Sequence, residues 1–260
     1  MKRVCSGPHR FSWKKMNDRQ KEILKIVSAR RRVAVKELVS TLGISGVTVR
    51  QDLTHLEEQG FIKRVHGGVT FVDSDDISSR LLVNFEKKLT IARKALDHVA
   101  EGETVLIESG STSAILAREL ARRGQVTIVT PNVFIARECR RGDENSVVLL
   151  GGVYQKESES LIGPMVKRCI DLVNVRKAFI GVDGFTRETG FTSRDMMRAD
   201  ISSYIARKCE QLFVLTDSSK FGRAELVKLF DVEDVSFVIT DEGIPARDRD
   251  YLAGRGVVVL

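Results

Sequence analysis

Cysteine is scarce and scattered. The four residues, Cys5, Cys139, Cys169 and Cys209, lie far apart and no C-x-x-C pair occurs. The chain therefore spells neither a zinc site nor a thiol redox pair, and free thiols in a reducing compartment are expected. Long apolar runs are missing too. No stretch approaches the roughly 20 residues that span a bilayer, and the start MKRVCSGPHRFSWKK is basic without the apolar segment of a secretory signal. A cytoplasmic protein with no membrane partner is expected. Neither G-x-x-x-x-G-K-[ST] nor G-x-G-x-x-G is present, and no repeat of 20 to 50 residues is evident.

What is present is unevenly charged. The chain has 260 residues, 42% of them hydrophobic, enough to fill at least one real core. Its formal net charge is +7, yet residues 1–72 hold 15 Lys and Arg against 6 Asp and Glu, whereas residues 73–260 hold 27 against 29. Positive charge is needed only where a chain touches a polyanion. The split thus suggests a nucleic-acid-binding module joined to a nearly neutral domain, the plainer alternative being a solubilising basic surface. Helical periodicity begins only after Met16. Residues 1–15 are expected to be a disordered basic arm or to precede the natural start.

From Arg19 to Arg30, the apolar residues Ile23, Leu24, Ile26 and Val27 form a stripe of helical spacing. VKELVSTLG predicts a second short helix in which Leu38, Val39 and Leu42 share a face and Gly43 supplies the turn. Ser45 stands at the N-cap of a third helix, where Val49, Leu53 and Leu56 make the buried stripe. Thr48, Gln51 and His55, with Arg50 beside them, are left on its other face. Two helices joined by a short turn, the second capped and polar near its N-terminus, have the organisation of a helix-turn-helix whose second helix enters the major groove. GFIKRVHGGVTFV then alternates apolar and polar residues around Gly67-Gly68, predicting a hairpin wing that carries Lys63, Arg64 and His66 to the DNA backbone. Each of these residues alone is as well explained by a solvated face. Charge, cap and hairpin together point to double-stranded DNA.

Arg19, Ile23 and Val27, followed by SGVTVRQDL and the wing sequence IKRVHGG, resemble the N-terminal signature of the DeoR family of bacterial transcription regulators. The likeness extends to near the C-terminus.

VDSDDISS, acidic and Ser-rich, predicts a linker at residues 73–79 between a DNA-binding domain at 16–72 and a second domain at 80–260. Past the helical stretch SRLLVNFEKKLTIARKALDHVA come seven apolar runs alternating with helical segments: TVLIE, VTIVT, SVVLL, KAFIGV, QLFVLT, SFVIT and GVVVL. Strands so rich in β-branched residues are buried on both faces, which predicts a Rossmann-like α/β fold with an open, mostly parallel sheet covered by helices.

Ligands of such sheets sit outside the carboxyl ends of the strands. The loops there read ESGST (108–112), TPN (130–132), GG (151–152), GVDG (181–184) and DSSKFG (217–222). Gly110 permits close backbone approach. Ser109, Ser111 and Thr112 offer hydroxyls where a helix begins and its free amides attract an anion, and Lys220 supplies a full positive charge. Each loop alone could be a plain turn or cap. Their common placement favours a ligand, and the absent nucleotide motifs favour a small phosphate ester. The DeoR effector domain is similar in fold to sugar-phosphate isomerases and coenzyme A transferases and typically binds a phosphorylated sugar. That resemblance implies effector contacts at Arg80, Lys88, the SGST loop, Asn132, Gly151, Gly152, Asp183, Gly184, Asp217 and Lys220. One departure stands out. Where the family commonly has an acidic residue, then Ala and later Lys, this chain reads SRDMMRADISS, placing Arg198 and Ser202 there and reversing the local charge.

The leading expectation is a DNA-binding repressor of a carbohydrate-utilisation operon, relieved by a phosphorylated sugar or related metabolite. It would act as a homodimer or homotetramer, with no catalytic residue, cofactor or metal. The rival is a sugar-phosphate isomerase or acyl-transfer enzyme carrying a DNA-binding segment, with Glu108, Asp183 or Asp217 as proton acceptor and Lys220 against an oxyanion. It is disfavoured because His9, His55, His66 and His98 all precede the loops. A third reading is an architectural DNA binder whose second domain is vestigial.

Overall fold

A computed structural model of the protein describes residues 16–72, 75–140 and 144–260. The expected basic arm, 1–15, lies outside the described residues, as do 73 and 74 of the expected linker. The chain divides into two compact units, Met1–Asn84 and Phe85–Leu260.

The first unit runs α1 (Asp18–Arg30), β1 (Arg32–Ala34), α2 (Val35–Leu42), α3 (Gly46–Glu58), β2 (Ile62–Val65), β3 (Gly68–Phe71) and α4 (Ile77–Leu82). Asn17 opens α1 through a reciprocal capping box with Gln20, and Gly43 ends α2 at φ +64. The stripes close as their spacing demands: Ile23, Leu24 and Val27 meet Val49, Leu53 and Leu56 around Leu38 and Phe61. A polar tie crosses this core. The buried Asp52 carboxylate accepts from Arg19 Nε at 2.5 Å, Arg19 Nη2 at 3.2 Å and Gln20 Nε2 at 3.1 Å, fixing α1 to α3.

Two expectations change here. Val65 pairs with Gly68, so the hairpin turn is His66-Gly67 and not Gly67-Gly68. Gly67 takes φ +73, whereas Gly68 is a strand residue on which a Cβ would stand 2.5 Å from the Val33 carbonyl oxygen. The glycine is there because β1 lies against it, and the wing is a three-stranded sheet of order β1-β3-β2. The expected linker is also shorter. Asp76 caps α4 by accepting from the Ser79 amide at 2.8 Å, and Ile77 and Leu81 are buried, so residues 77–79 are helical. Arg80 consequently belongs to the first unit.

The second unit runs α5 (Phe85–Leu96), β4 (Thr104–Ile107), α6 (Ser111–Arg123), β5 (Thr127–Thr130), α7 (Val133–Cys139), β6 (Ser146–Leu149), β7 (Val153–Gln155), β8 (Ser160–Ile162), α8 (Pro164–Asp171) and β9 (Lys177–Gly181). It continues through β10 (Gly184–Thr186), β11 (Gly190–Ser193), α9 (Met196–Lys208), β12 (Gln211–Leu215), β13 (Val227–Phe230), β14 (Phe237–Ile239), α10 (Ala246–Ala253) and β15 (Val258–Val259). The seven apolar runs all enter one sheet, in the order β15-β14-β12-β9-β4-β5-β6, and every neighbouring pair is parallel. Leu106, Ala178, Ile180, Leu212 and Val214 face a core shared with Val166 and Ile170 of α8 and Ile201 and Ile205 of α9. The alternate residues point the other way, where Phe179, Phe213 and Phe237 stack across three strands with ring centroids 4.7 and 4.5 Å apart.

Burial on both faces fails at the two edge strands, and Val258 of β15 is exposed. β6 is a sheet edge, and Val148 and Leu149 on its opposite sides are both exposed. A three-stranded antiparallel sheet, β10-β11-β13, and the β7-β8 hairpin complete the unit. Among the described residues no helix is long and apolar enough to cross a membrane. From β4 the chain steps outward through β5 and β6, then returns to build β9, β12, β14 and β15 on the other side. The strand order reverses between β4 and β9, the place where open sheets leave a crevice.

Candidate functional sites

At the head of α3, the Ser45 hydroxyl accepts from the Thr48 amide at 3.1 Å and lies 2.8 Å from the Thr48 hydroxyl. Arg50 and Gln51 are exposed on the following turn, as are Lys63 and His66 on the wing. His55 is half-buried, its Nε2 2.7 Å from Gln59 Nε2. Arg64 is engaged within the protein. Its Nη2 donates to the Arg50 carbonyl at 2.7 Å and to the Thr54 hydroxyl at 2.6 Å, while Glu57 accepts from its backbone amide at 2.7 Å and pairs with its Nε at 3.3 Å. That side chain fastens the wing to α3. Val47 stands 63% exposed at the start of α3. An apolar side chain held in water there is suited to a thymine methyl, a contact that a polar-face criterion overlooks.

In the second unit the loops after β4 and β9 meet at the reversal of strand order. Gly110 has φ +136, and a Cβ on it would lie 3.8 Å from the Gly181 Cα. Gly110 supplies no side-chain cap to α6, so the first-turn amides of that helix point at the crevice without one. Beside them sits Glu108, whose pKa burial pushes up to about 7, with the Arg198 guanidinium and the Ser109 bonds opposing and Asp183 reinforcing the rise. Asp183 is buried and accepts from the Ser193 hydroxyl at 3.3 Å and the Arg194 amide at 3.2 Å. Arg198 is buried in the first turn of α9, its amide donating to the capping Asp195 at 2.8 Å.

After β12, Asp217 begins a 3-10 turn, Ser218–Lys220, accepting from the Ser219 amide at 3.0 Å. Burial opposes its ionisation, but the Ser219 bond and the Lys220 and Lys88 ammonium groups outweigh it and hold the carboxyl below its ordinary value. Lys88, itself buried on α5, thus joins this cluster. Lys87 beside it pairs with Asp241 at 3.0 Å and donates to the Ser218 hydroxyl at 2.7 Å. The first turn of α5 is thereby fastened to the loops after β12 and β14. Such a set can hold an anion against lysines and helix amides while carboxylates accept hydroxyls. Among the described residues no group of three or more His, Cys, Asp or Glu side chains is placed to hold a metal ion.

A family profile described as the DeoR C terminal sensor domain matches residues 83–242, and one described as the DeoR-like helix-turn-helix domain matches residues 19–75. The chain belongs to the DeoR family of transcriptional regulators. HTH-type transcriptional regulator GolR of Listeria innocua is 30% identical over 231 residues, covering 87% of this chain and 91% of that protein. The putative aga operon transcriptional repressor of Escherichia coli O157:H7 is 28% identical over 250 residues, covering 94% and 93%. Transcriptional repressor AccR of Agrobacterium fabrum is 30% identical over 231 residues, covering 87% and 90%. Solved structures are more distant. Ribose 5-phosphate isomerase A of Methanocaldococcus jannaschii gives a TM-score of 0.40 at 22% identity over 53% of this chain and 55% of that one. The DeoR family consists of transcription regulators and not enzymes, which removes the isomerase and acyl-transfer reading.

Within this DeoR-family chain, Lys88, Ser109, Gly110, Ser111, Thr112, Asp183, Arg198, Asp217 and Lys220 all lie at the ends of β4, β9 and β12 or on the helix turns beside them. Others are occupied elsewhere. Asn132 is fully buried: its Oδ1 caps α7 by accepting from the Ile135 amide at 2.9 Å, and its Nδ2 donates to the Ser158 carbonyl at 2.9 Å and the Ser160 hydroxyl at 3.2 Å. Its Nδ2 also donates to the Ser109 hydroxyl at 3.4 Å, and the Ser160 hydroxyl donates to Ser109 at 2.7 Å, so Asn132 supports the crevice wall both directly and through Ser160. Gly151 and Gly152 follow the edge strand β6, two places from the crevice. A Cβ on Gly152 would stand 2.5 Å from Val166 Cγ2, which makes it a packing glycine. Gly184 is likewise pressed by the Arg223 carbonyl oxygen, 2.5 Å from where its Cβ would be. Arg80 is on α4 of the first unit. Ser113 was not foreseen. Its fully buried hydroxyl has no hydrogen-bond partner and lies 3.5 Å from the position of a Gly110 Cβ.

Proposed function

We propose that this regulator represses a carbohydrate-utilisation operon in the cytoplasm and releases its operator when a phosphorylated sugar or related metabolite occupies the crevice. The observation that carries this reading is the grouping of Lys88, Lys220 and Arg198 with the uncapped first turn of α6 where the strand order reverses. Lysines and helix amides suit a phosphate, and the ionised Asp217 and the Asp183 carboxyl suit sugar hydroxyls. At the other unit, Thr48, Arg50, Gln51 and His55 read the major groove from a helix capped by Ser45. Lys63 and His66 meet the phosphates, and Arg64 holds the wing that carries them. Homodimers or homotetramers set the spacing of the half-sites.

The test is fluorescence anisotropy of the full chain on duplexes from its own promoter region, titrated with pentose, hexose and triose phosphates and with inorganic phosphate. One sugar phosphate should weaken binding roughly 5- to 150-fold, the usual span of allosteric coupling. If specific duplex binding is found and no phosphorylated compound changes it, the effector assignment fails. If no duplex binds even in dilute salt, the whole proposal fails.

A further inference from the structure

At the opposite end of the sheet, where β9 and β12 begin, a cavity of about 410 Å³ opens beside the C-terminus of α8. Its floor is apolar, with Leu106, Ile170, Ala178 and Ile205 all buried, and Cys209 forms part of its wall. Its rim holds two pairs of opposite charge, Lys208 with Asp171 at 2.7 Å and Arg176 with Glu210 at 2.8 Å. Next to this hole stands a knob. Leu172 is 85% exposed, the highest value among the exposed large apolar residues described. It is also firmly presented, because its amide donates to the Cys169 carbonyl and that of Val173 to the Ile170 carbonyl, both at 3.2 Å.

Asp171 and Val173, the residues on either side of Leu172, line the cavity, so knob and hole share one surface. That is the condition for a two-fold contact, in which each copy offers the same patch and receives the same patch. The rim satisfies a second condition. With two cations and two carboxylates it does not repel its own rotated image, which can set each charge against its opposite. A small molecule would suit the volume, as ligand cavities run from roughly 300 to 1,000 Å³, but it would leave Leu172 standing in water.

We propose that two copies of this chain associate here, each inserting its Leu172 turn into the cavity of the other. The inference rests on the reading of the protein as a homo-oligomer. Sedimentation of the full chain and of Leu172→Asp tests it, with the change placed on an exposed side chain so that circular dichroism should stay unaltered. Association should weaken by roughly 30-fold or more, as for loss of a buried apolar anchor. A second variant works without disruption. Leu172→Cys, made with Cys169→Ser because Cys169 lies one turn earlier, should give a reducible dimer under mild oxidation by bonding to Cys209 of the partner subunit. Adding Cys209→Ser should abolish it. An oligomer that Leu172→Asp leaves intact, with no such disulfide, overturns this surface and spares the oligomer reading. A monomer throughout overturns both.

Discussion

Replacing Glu108 by Gln should change the stability of the second unit in a way that depends on pH. The carboxyl is 4% exposed, and its pKa is raised from 4.5 to about 7. Burial is the largest cause; Arg198 and the Ser109 bonds counter it and Asp183 adds to it. In the unfolded chain the same carboxyl ionises near 4.5. Between the two values the folded protein keeps a proton that the unfolded chain has released, so this stabilisation is complete below the lower value and lost as pH rises through the higher. At about 1.4 kcal/mol per pH unit, the gap between the values amounts to about 3 kcal/mol. Glu108→Gln keeps the shape and cannot ionise. It should match the parent protein near pH 4.5 and exceed it by up to about 3 kcal/mol near pH 8. Urea unfolding of both proteins at stepped pH measures the difference, in which the titrating groups not coupled to Glu108 cancel. A difference that stays flat across this range, or a parent protein more stable than the variant near pH 8, refutes the assignment of a raised pKa.

Arg50→Ala should weaken operator binding and lower the slope of log affinity against log salt by about 0.9 if Arg50 neutralises one phosphate; an unchanged slope excludes that contact. Lys220→Ala should leave operator affinity intact while abolishing the response to the metabolite, and ordinary release by that variant would take Lys220 out of the site. Asp52→Ala leaves the buried Gln20 amide and the Arg19 guanidinium without their acceptor. Denaturant unfolding of the first unit should show a loss of about 1–3 kcal/mol, and a loss below about 0.5 kcal/mol, as at an ordinary surface site, would deny the tie between α1 and α3 its role.

Apolar periodicity carried most of the fold. The seven β-branched runs could satisfy their backbones only in a sheet covered on both sides, and all seven pair in parallel. It was silent on β1, β7, β10 and β11, each of three or four residues and set by contact with neighbours and not by any run of its own. The edge strand β6 shows the converse, an apolar run whose exposure depends on its place in the strand order, which composition does not encode. In the crevice, residue type and strand-end position picked out Gly110, Asp217 and Lys220, which follow β4 and β12 as expected. Glycine, however, answers to any close neighbour. Gly68, Gly152 and Gly184 yield room to a carbonyl oxygen or a valine methyl of the same unit, and a loop sequence cannot name that neighbour. Arg64 was legible as a cation on the wing, but its partners Thr54 and Glu57 lie in a helix that turns toward it only after folding.

The clasp of Arg64 on α3 and the seating of β3 between β1 and β2 bear on the kinetics of operator capture. A hairpin backed by a third strand along β3 and latched to the recognition helix has surrendered its conformational entropy during folding. Docking on a duplex then carries little further ordering cost in the wing. For the wing itself, encounter with DNA is accordingly governed by diffusion and by the long-range pull of the basic surface, with no slow search for a competent hairpin shape.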